Sequence, residues 1–212
     1  VTAPDIRKSF PNVFYQGEAK KEMTLADALS DFHAETVVIK GANAVDMNGF
    51  VGVITSGFDG GTVPRIIGPV TSKGLKWITP VGLEKLVPSV QASAKAIGGA
   101  TTIDISMGAD PGMYCLGNTT VVTEIEAIKQ LFDCEAKLVC CGGIGGNEGA
   151  HYWAVTGEEA DVKAMVEYIE ENIKGEPPVK GSKGNCADCR YPGCKYNGKE
   201  LPAWMKKMGL EK

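Results

Sequence analysis

Near the C-terminus the chain reads NCADCRYPGCKYNGK, Asn185 to Lys199. Cys186, Cys189 and Cys194 fall within nine residues as C-x-x-C-x-x-x-x-C. Thiolates at that spacing can converge on one soft metal centre, and the Pro192-Gly193 turn brings the third back toward the first two. Three thiolates suit a 4Fe–4S cluster whose fourth ligand comes from elsewhere, which is the expected cofactor. Zinc with a fourth protein ligand is the alternative, and free thiols or a disulfide are the plain reading. Cys115 is the expected fourth ligand, with Cys140, Cys141 and His151 also eligible.

A second group of residues could hold a small molecule. Gly41 and Ala42 follow an apolar run, VVIK, and leave backbone N–H groups open to an anion or a carbonyl. Asn43, Asp46 and Asn48 come next and can exchange hydrogen bonds with hydroxyls. The stretch SGFDGGT then offers Asp59, Gly60, Gly61 and Thr62. Together these predict a cleft around 41–48 and 57–62 that binds a small anionic metabolite. The plainer account is that Asn43, Asp46 and Asn48 bond to their own turns. A third group lies in LVCCGGIGGNEGAHYW. Cys140 and Cys141 point to opposite faces of a strand. The glycine-rich turn draws Asn147, Glu148 and His151 together as an acid/base set or as an ordinary surface turn.

The elements that must position these groups follow from periodicity. Leu25, Ala28, Leu29 and Phe32 keep helical spacing behind Thr24, a fitting N-cap. Strands are predicted at the start of 35–46 and over 49–57, 75–82 and 100–106, with a glycine-rich turn over 57–65. A helical stretch over 83–98 is split by Pro88. The alternation predicts an α/β core with parallel strands over 1–117. From 118 to 175 the pattern is helix, strand, GGNEG turn, strand and helix, a small α+β subdomain. Residues 176–212 read as a Pro/Gly/Lys linker and the Cys-rich metal-binding tail.

The segment VVIKGANAVDMNGFVGVI resembles the Gly-Ala-Asp-x-Val-Asp turn of ribose-5-phosphate isomerase A, matching at Gly41, Ala42, Val45, Asp46 and Asn48. Related turns occur across the wider superfamily of CoA transferases, sugar-sensing regulator domains and lactate-utilisation proteins. ITPVGLEKLVPSV is similar to a strand-to-helix unit of the lactate-utilisation branch. The resemblance covers roughly residues 15 to 105 in short motifs. It implies a Rossmann-like open sheet of the isomerase type. It also implies Asp46 or Asp59 as the acid/base group and Lys40 or Arg65 as the cation that would stabilise an enediolate. The chain departs from the family at Asn43, where the isomerase has an aspartate, and lacks the isomerase lysine, Val53 standing at that place. The family's phosphate loop has no counterpart here, so an upstream segment or a partner subunit is expected to supply it.

Bulk composition narrows the class. The chain has 212 residues, 43% of them apolar, and a net charge of −4. That balance carries no nucleic-acid or membrane-surface footprint. No apolar run reaches 18 residues, and no basic, then apolar leader is visible. Seven cysteines, odd in number and including an adjacent pair, do not read as a disulfide framework. A reducing cytoplasm, anaerobic metabolism and a homo-oligomer are the expected setting. Two functions stand side by side. One is an accessory, sensing or redox protein carrying a metal centre and a metabolite cleft. The other is an isomerase or transferase of a phosphorylated sugar, acyl or hydroxy-acid substrate, with Asp46 and Asp59 as acid and base.

Overall fold

A computed structural model describes residues 13–98, 103–108, 110–175, 194–196 and 199–207. The protein is mixed α/β, built from several small sheets with helices between them. Strands β1 (Phe14–Tyr15) and β2 (Glu18–Ala19) form a short hairpin. Helix α1 (Leu25–Ser30) begins at a capping box. Thr24 Oγ1 accepts from Asp27 N–H at 3.1 Å, and Asp27 Oδ2 accepts from Thr24 N–H at 3.0 Å, which satisfies two donors that the first turn leaves open.

The parallel strands expected from the sequence are present in one sheet. β3 (Val37–Ile39), β6 (Lys76–Pro80) and β8 (Thr120–Val122) pair in that spatial order, both pairings parallel. A second sheet is antiparallel throughout, in the order β4 (Ala44–Val45), β5 (Val51–Thr55), β7 (Gly112–Leu116). β7 falls where the sequence reading put a loop. Ser106 makes one isolated bridge, and residues 103–106 hold no longer strand, while 100–102 lie outside the described residues.

Helix α2 (Val63–Lys73) starts inside the stretch read as a turn. Val63, Ile66 and Val70 recur at helical spacing and are buried. Pro64 sits in its first turn, where a missing N–H costs nothing, and Gly74 closes it with a left-handed φ of +69°. Pro88 does divide the next stretch, into a single 3₁₀ turn (Leu83–Lys85) and helix α3 (Val90–Ala96).

Beyond Gly117 the helix–hairpin–helix order holds. It consists of α4 (Glu124–Phe132), β9 (Glu135–Gly142), β10 (Ala150–Thr156) and α5 (Glu159–Asn172), with β9 and β10 antiparallel. A short helix, α6 (Ala203–Lys207), follows near the C-terminus. Leu138 and Trp153 of the hairpin, with Ile125 of α4, pack against the same hydrophobic cluster as Val38, Val51, Ile66 and Trp77. One core therefore serves residues on both sides of Gly117. Among the described residues no helix is long and apolar enough to cross a membrane.

Candidate functional site

Strand β5 ends at Thr55 and passes through Ser56–Thr62 into α2. β7 runs back beside it, with Thr55 opposite Gly112 and Val53 opposite Tyr114. Between them lies an open, surface-facing cavity of about 430 Å³, lined by Thr55–Gly60 on one side and by Asp110, Gly112 and Tyr114 on the other. That volume suits a small metabolite.

The loop folds by its own hydrogen bonds. Gly60 N–H donates to the Gly57 carbonyl at 2.9 Å, and Gly61 N–H donates to Asp59 Oδ1 at 3.0 Å. Arg65 Nη2 donates to Asp59 Oδ2 at 3.0 Å from the first turn of α2. The Gly61 amide and the Arg65 guanidinium hold the Asp59 carboxyl below its ordinary value. A carboxylate so held accepts hydrogen bonds well and takes up a proton poorly near neutral pH. Gly60 has φ +70°, and a side chain there would run into the Tyr114 hydroxyl and the Pro64 ring. Glycine at 60 is thus what leaves the cavity its wall.

The expected cleft around 41–48 and 57–62 divides. Asp59 and Gly60 line the cavity, Gly61 lies beside it, and Thr62 stands at the N-cap position of α2 without a side-chain capping bond. Gly41, Ala42, Asn43, Asp46 and Asn48 line no part of it. Ala42 packs on the core, and the nearest atom to a side chain at Gly41 would be the Pro80 carbonyl oxygen. Asn43 Oδ1 accepts from Ile54 N–H at 2.9 Å. Asp46 is buried; Oδ1 accepts from the N–H groups of Asn48 and Phe50 at 2.9 and 3.1 Å, and Oδ2 accepts from Val90 N–H at 2.8 Å. Asp46 thus makes the turn bonds of the plainer account and extends them to the start of α3, while the Asn43 bond reaches across to β5.

Of the expected metal ligands, Cys186 and Cys189 lie outside the described residues. Cys194 makes a parallel bridge with Ser106, and Lys195 N–H donates to the Ser106 carbonyl at 2.9 Å. Cys115 is largely exposed on β7; partial desolvation of its sulfur, then the charge of Asp46, pushes its thiol up. Among the described residues no three His, Cys, Asp or Glu side chains are grouped to hold a metal ion. In the glycine-rich hairpin loop, Glu148 accepts from Gly146 N–H at 3.0 Å, while His151 faces Glu124 instead.

Asp110 and Tyr114 come from SMGADPGMYCLGN, a stretch whose Gly, Asp and Asn content offers it from sequence either as lining of the Gly41–Asn48 cleft or as an ordinary loop; the pairing of GMYCL with β5 sets it against Thr55–Gly60 instead. Comparison with protein-family models, with curated proteins and with solved structures finds no match.

Proposed function

We propose that the chain binds a small hydroxylated metabolite in the cavity between the β5–α2 loop and β7. The observation that carries this is the lining itself. Two acidic residues, Asp59 and Asp110, and Tyr114 line one space of about 430 Å³. Carboxylates accept from hydroxyl groups, and Tyr114 both donates and accepts. The low-lying Asp59 favours binding over proton transfer, so the accessory or sensing reading leads the isomerase or transferase reading. Two carboxylates in the wall favour a neutral polyol or sugar over the anion expected from the Gly41–Asn48 motif. An isomerase-type sheet belongs to the same proposal, supported by the parallel order β3–β6–β8 and by the resemblance at Gly41, Ala42, Val45, Asp46 and Asn48.

The test is thermal unfolding with ribose, ribose 5-phosphate and lactate as probes. A probe that binds the native state raises the midpoint. Loss of one charged hydrogen-bond acceptor weakens binding by about tenfold or more, so Asp59→Asn and Asp110→Asn should each remove most of the shift. Ribose acting alone supports the neutral ligand. A larger shift with ribose 5-phosphate restores the anionic one. No shift with any probe, or a shift that both variants keep, sinks the assignment.

A second reading rests on the pairing of Cys194 with Ser106. It sets the third thiol of the C-terminal cluster against the segment that leads to Asp110 in the cavity wall. We infer that Cys186, Cys189 and Cys194 hold a 4Fe–4S cluster, with zinc as the alternative, and that the role is redox or sensory. Iron, zinc and acid-labile sulfide assayed on protein purified without oxygen decide between them. Cys189→Ser is expected to abolish the bound metal. Protein with neither iron nor zinc would end this reading.

A further inference from the structure

The turn between β5 and α2 presents one apolar side chain to the cavity. The other lining residues are glycines or carry a hydroxyl or a carboxyl, and Phe58 alone is wholly apolar. Phe58 is also the most exposed of the large apolar residues described, with a relative accessibility of 111%. It takes no part in the hydrophobic core.

The backbone around it is fixed without help from the ring. Gly60 N–H donates to the Gly57 carbonyl at 2.9 Å, so Phe58 and Asp59 are the two central residues of the turn. Asp59 accepts from Gly61 N–H and from Arg65 Nη2, each at 3.0 Å, which ties the turn to the start of α2. Phe58 therefore gives the fold no buried area, and its ring keeps the full cost of contact with water. A ligand that covers the ring removes that cost.

The openness of the cavity decides which ligand gains most there. Hydroxyl groups that bond to Asp59, Asp110 or Tyr114 give up bonds to water, and each exchange yields little on balance. Apolar area covered at Phe58 is gained without such an exchange. An open-chain polyol carries hydroxyls along its whole length and offers no continuous apolar face. A cyclic sugar carries its hydroxyls at the rim and presents C–H groups on a face. It can lay that face on the ring while its rim reaches the carboxylates. Asp59 follows Phe58 directly, so face and rim contacts come from neighbouring residues of one braced turn.

We propose that Phe58 is the specificity-determining residue of this cavity, a flat platform that selects a cyclic sugar over an open-chain polyol. The proposal deepens the metabolite assignment above and rests on it. Its chemistry is binding only, and the ring takes no part in bond making.

Ribose and ribitol are the matched probes, one five-carbon skeleton closed and open. The Kd of each follows from the dependence of the unfolding midpoint on probe concentration. Ribose should bind the wild type about tenfold more tightly than ribitol, the scale expected when an aromatic ring covers one face of a small sugar. Phe58→Ala should keep the midpoint of the free protein and lose the difference, ribose falling to the level of ribitol. Phe58→Trp, flat and aromatic, should restore it, and its added indole emission should change over the same range of ribose concentration. Phe58→Leu, apolar but not flat, should fall between. Equal affinities in the wild type, or a ribose preference that Phe58→Ala keeps, would overturn the platform while the cavity assignment stood. A free-protein midpoint that drops sharply in Phe58→Ala would overturn it too, by making the ring a structural part. A wild type that responds to neither probe would sink the cavity assignment itself, and the platform with it.

Discussion

Asp46→Ala is expected to destabilise the protein by about 3–5 kcal/mol, the sum expected when a buried charged acceptor leaves its donors without partners. Three amides depend on this carboxylate, those of Asn48, Phe50 and Val90. Two belong to the turn between β4 and β5, and the third opens α3. The neighbouring pairing runs along the same line, because Val87 N–H donates to the Val45 carbonyl at 2.8 Å. Val45, Val51 and Val90 beside it are among the most deeply buried side chains. The Val90 amide has no route to water unless this packing opens, whereas those of Asn48 and Phe50 lie in a part-exposed turn. Total stabilities of about 5–15 kcal/mol are usual, so the loss would be a large share of the whole. Asp46→Asn should lie between alanine and wild type. Its oxygen can still serve one side, while its NH₂ opposes a donor on the other. Urea unfolding at neutral pH gives all three values. An alanine variant within about 1 kcal/mol of wild type would refute the anchoring role, since that is less than one charged hydrogen bond contributes. A variant with unchanged stability and lost ligand binding would instead return Asp46 to the metabolite.

What could be read in the chain beforehand was whatever its neighbours in sequence decide. The Thr24 cap and the last amphipathic helix before Gly175 are local patterns, and both elements appear in the fold. The β-branched run at 37–39 and the KWITP strand are local too, and their parallel pairing follows from the helices between them. Helix α2 escaped because Pro64, Gly68 and Pro69 read as breakers. Pro64 falls where the first turn tolerates it, and the burial of Val63, Ile66 and Val70 outweighs the rest. β7 escaped because its strand character comes from β5, some sixty residues earlier, and not from its own glycine-rich flank. The site divides the same way. Asp59 in its glycine loop was legible, whereas Asp110 and Tyr114 join it only through that long-range pairing. The motif at 41–48 was legible as a turn, but nothing local says whether its polar groups face a ligand or their own backbone. The Val90 amide, reached from a distant helix, decides that for Asp46.

Gly60→Ala and Gly61→Ala together separate backbone strain from the shape of the cavity. Both glycines have left-handed φ, +70° and +75°, so alanine at either costs about 1–2 kcal/mol in the backbone. Their surroundings differ. An added carbon at 61 meets only Thr55 Oγ1, at 3.7 Å, an ordinary contact. At 60 it meets the Pro64 ring at 2.8 Å and collides with the Tyr114 hydroxyl. Pro64 is fixed by its ring in the first turn of α2, so Tyr114 must move, and overpacking of this kind adds about 1–3 kcal/mol. Tyr114 is also a wall of the cavity, and moving it removes a hydrogen-bonding group from the ligand as well as space. Gly61→Ala should therefore lose stability alone and keep the ligand-induced rise in unfolding midpoint. Gly60→Ala should lose more stability and nearly all of that rise. Tyr114→Phe in the Gly60→Ala background should recover part of the stability by removing the colliding oxygen, without recovering the ligand. If both glycine variants bind the probe as wild type does, Tyr114 is not a wall of the binding site and the ligand sits elsewhere.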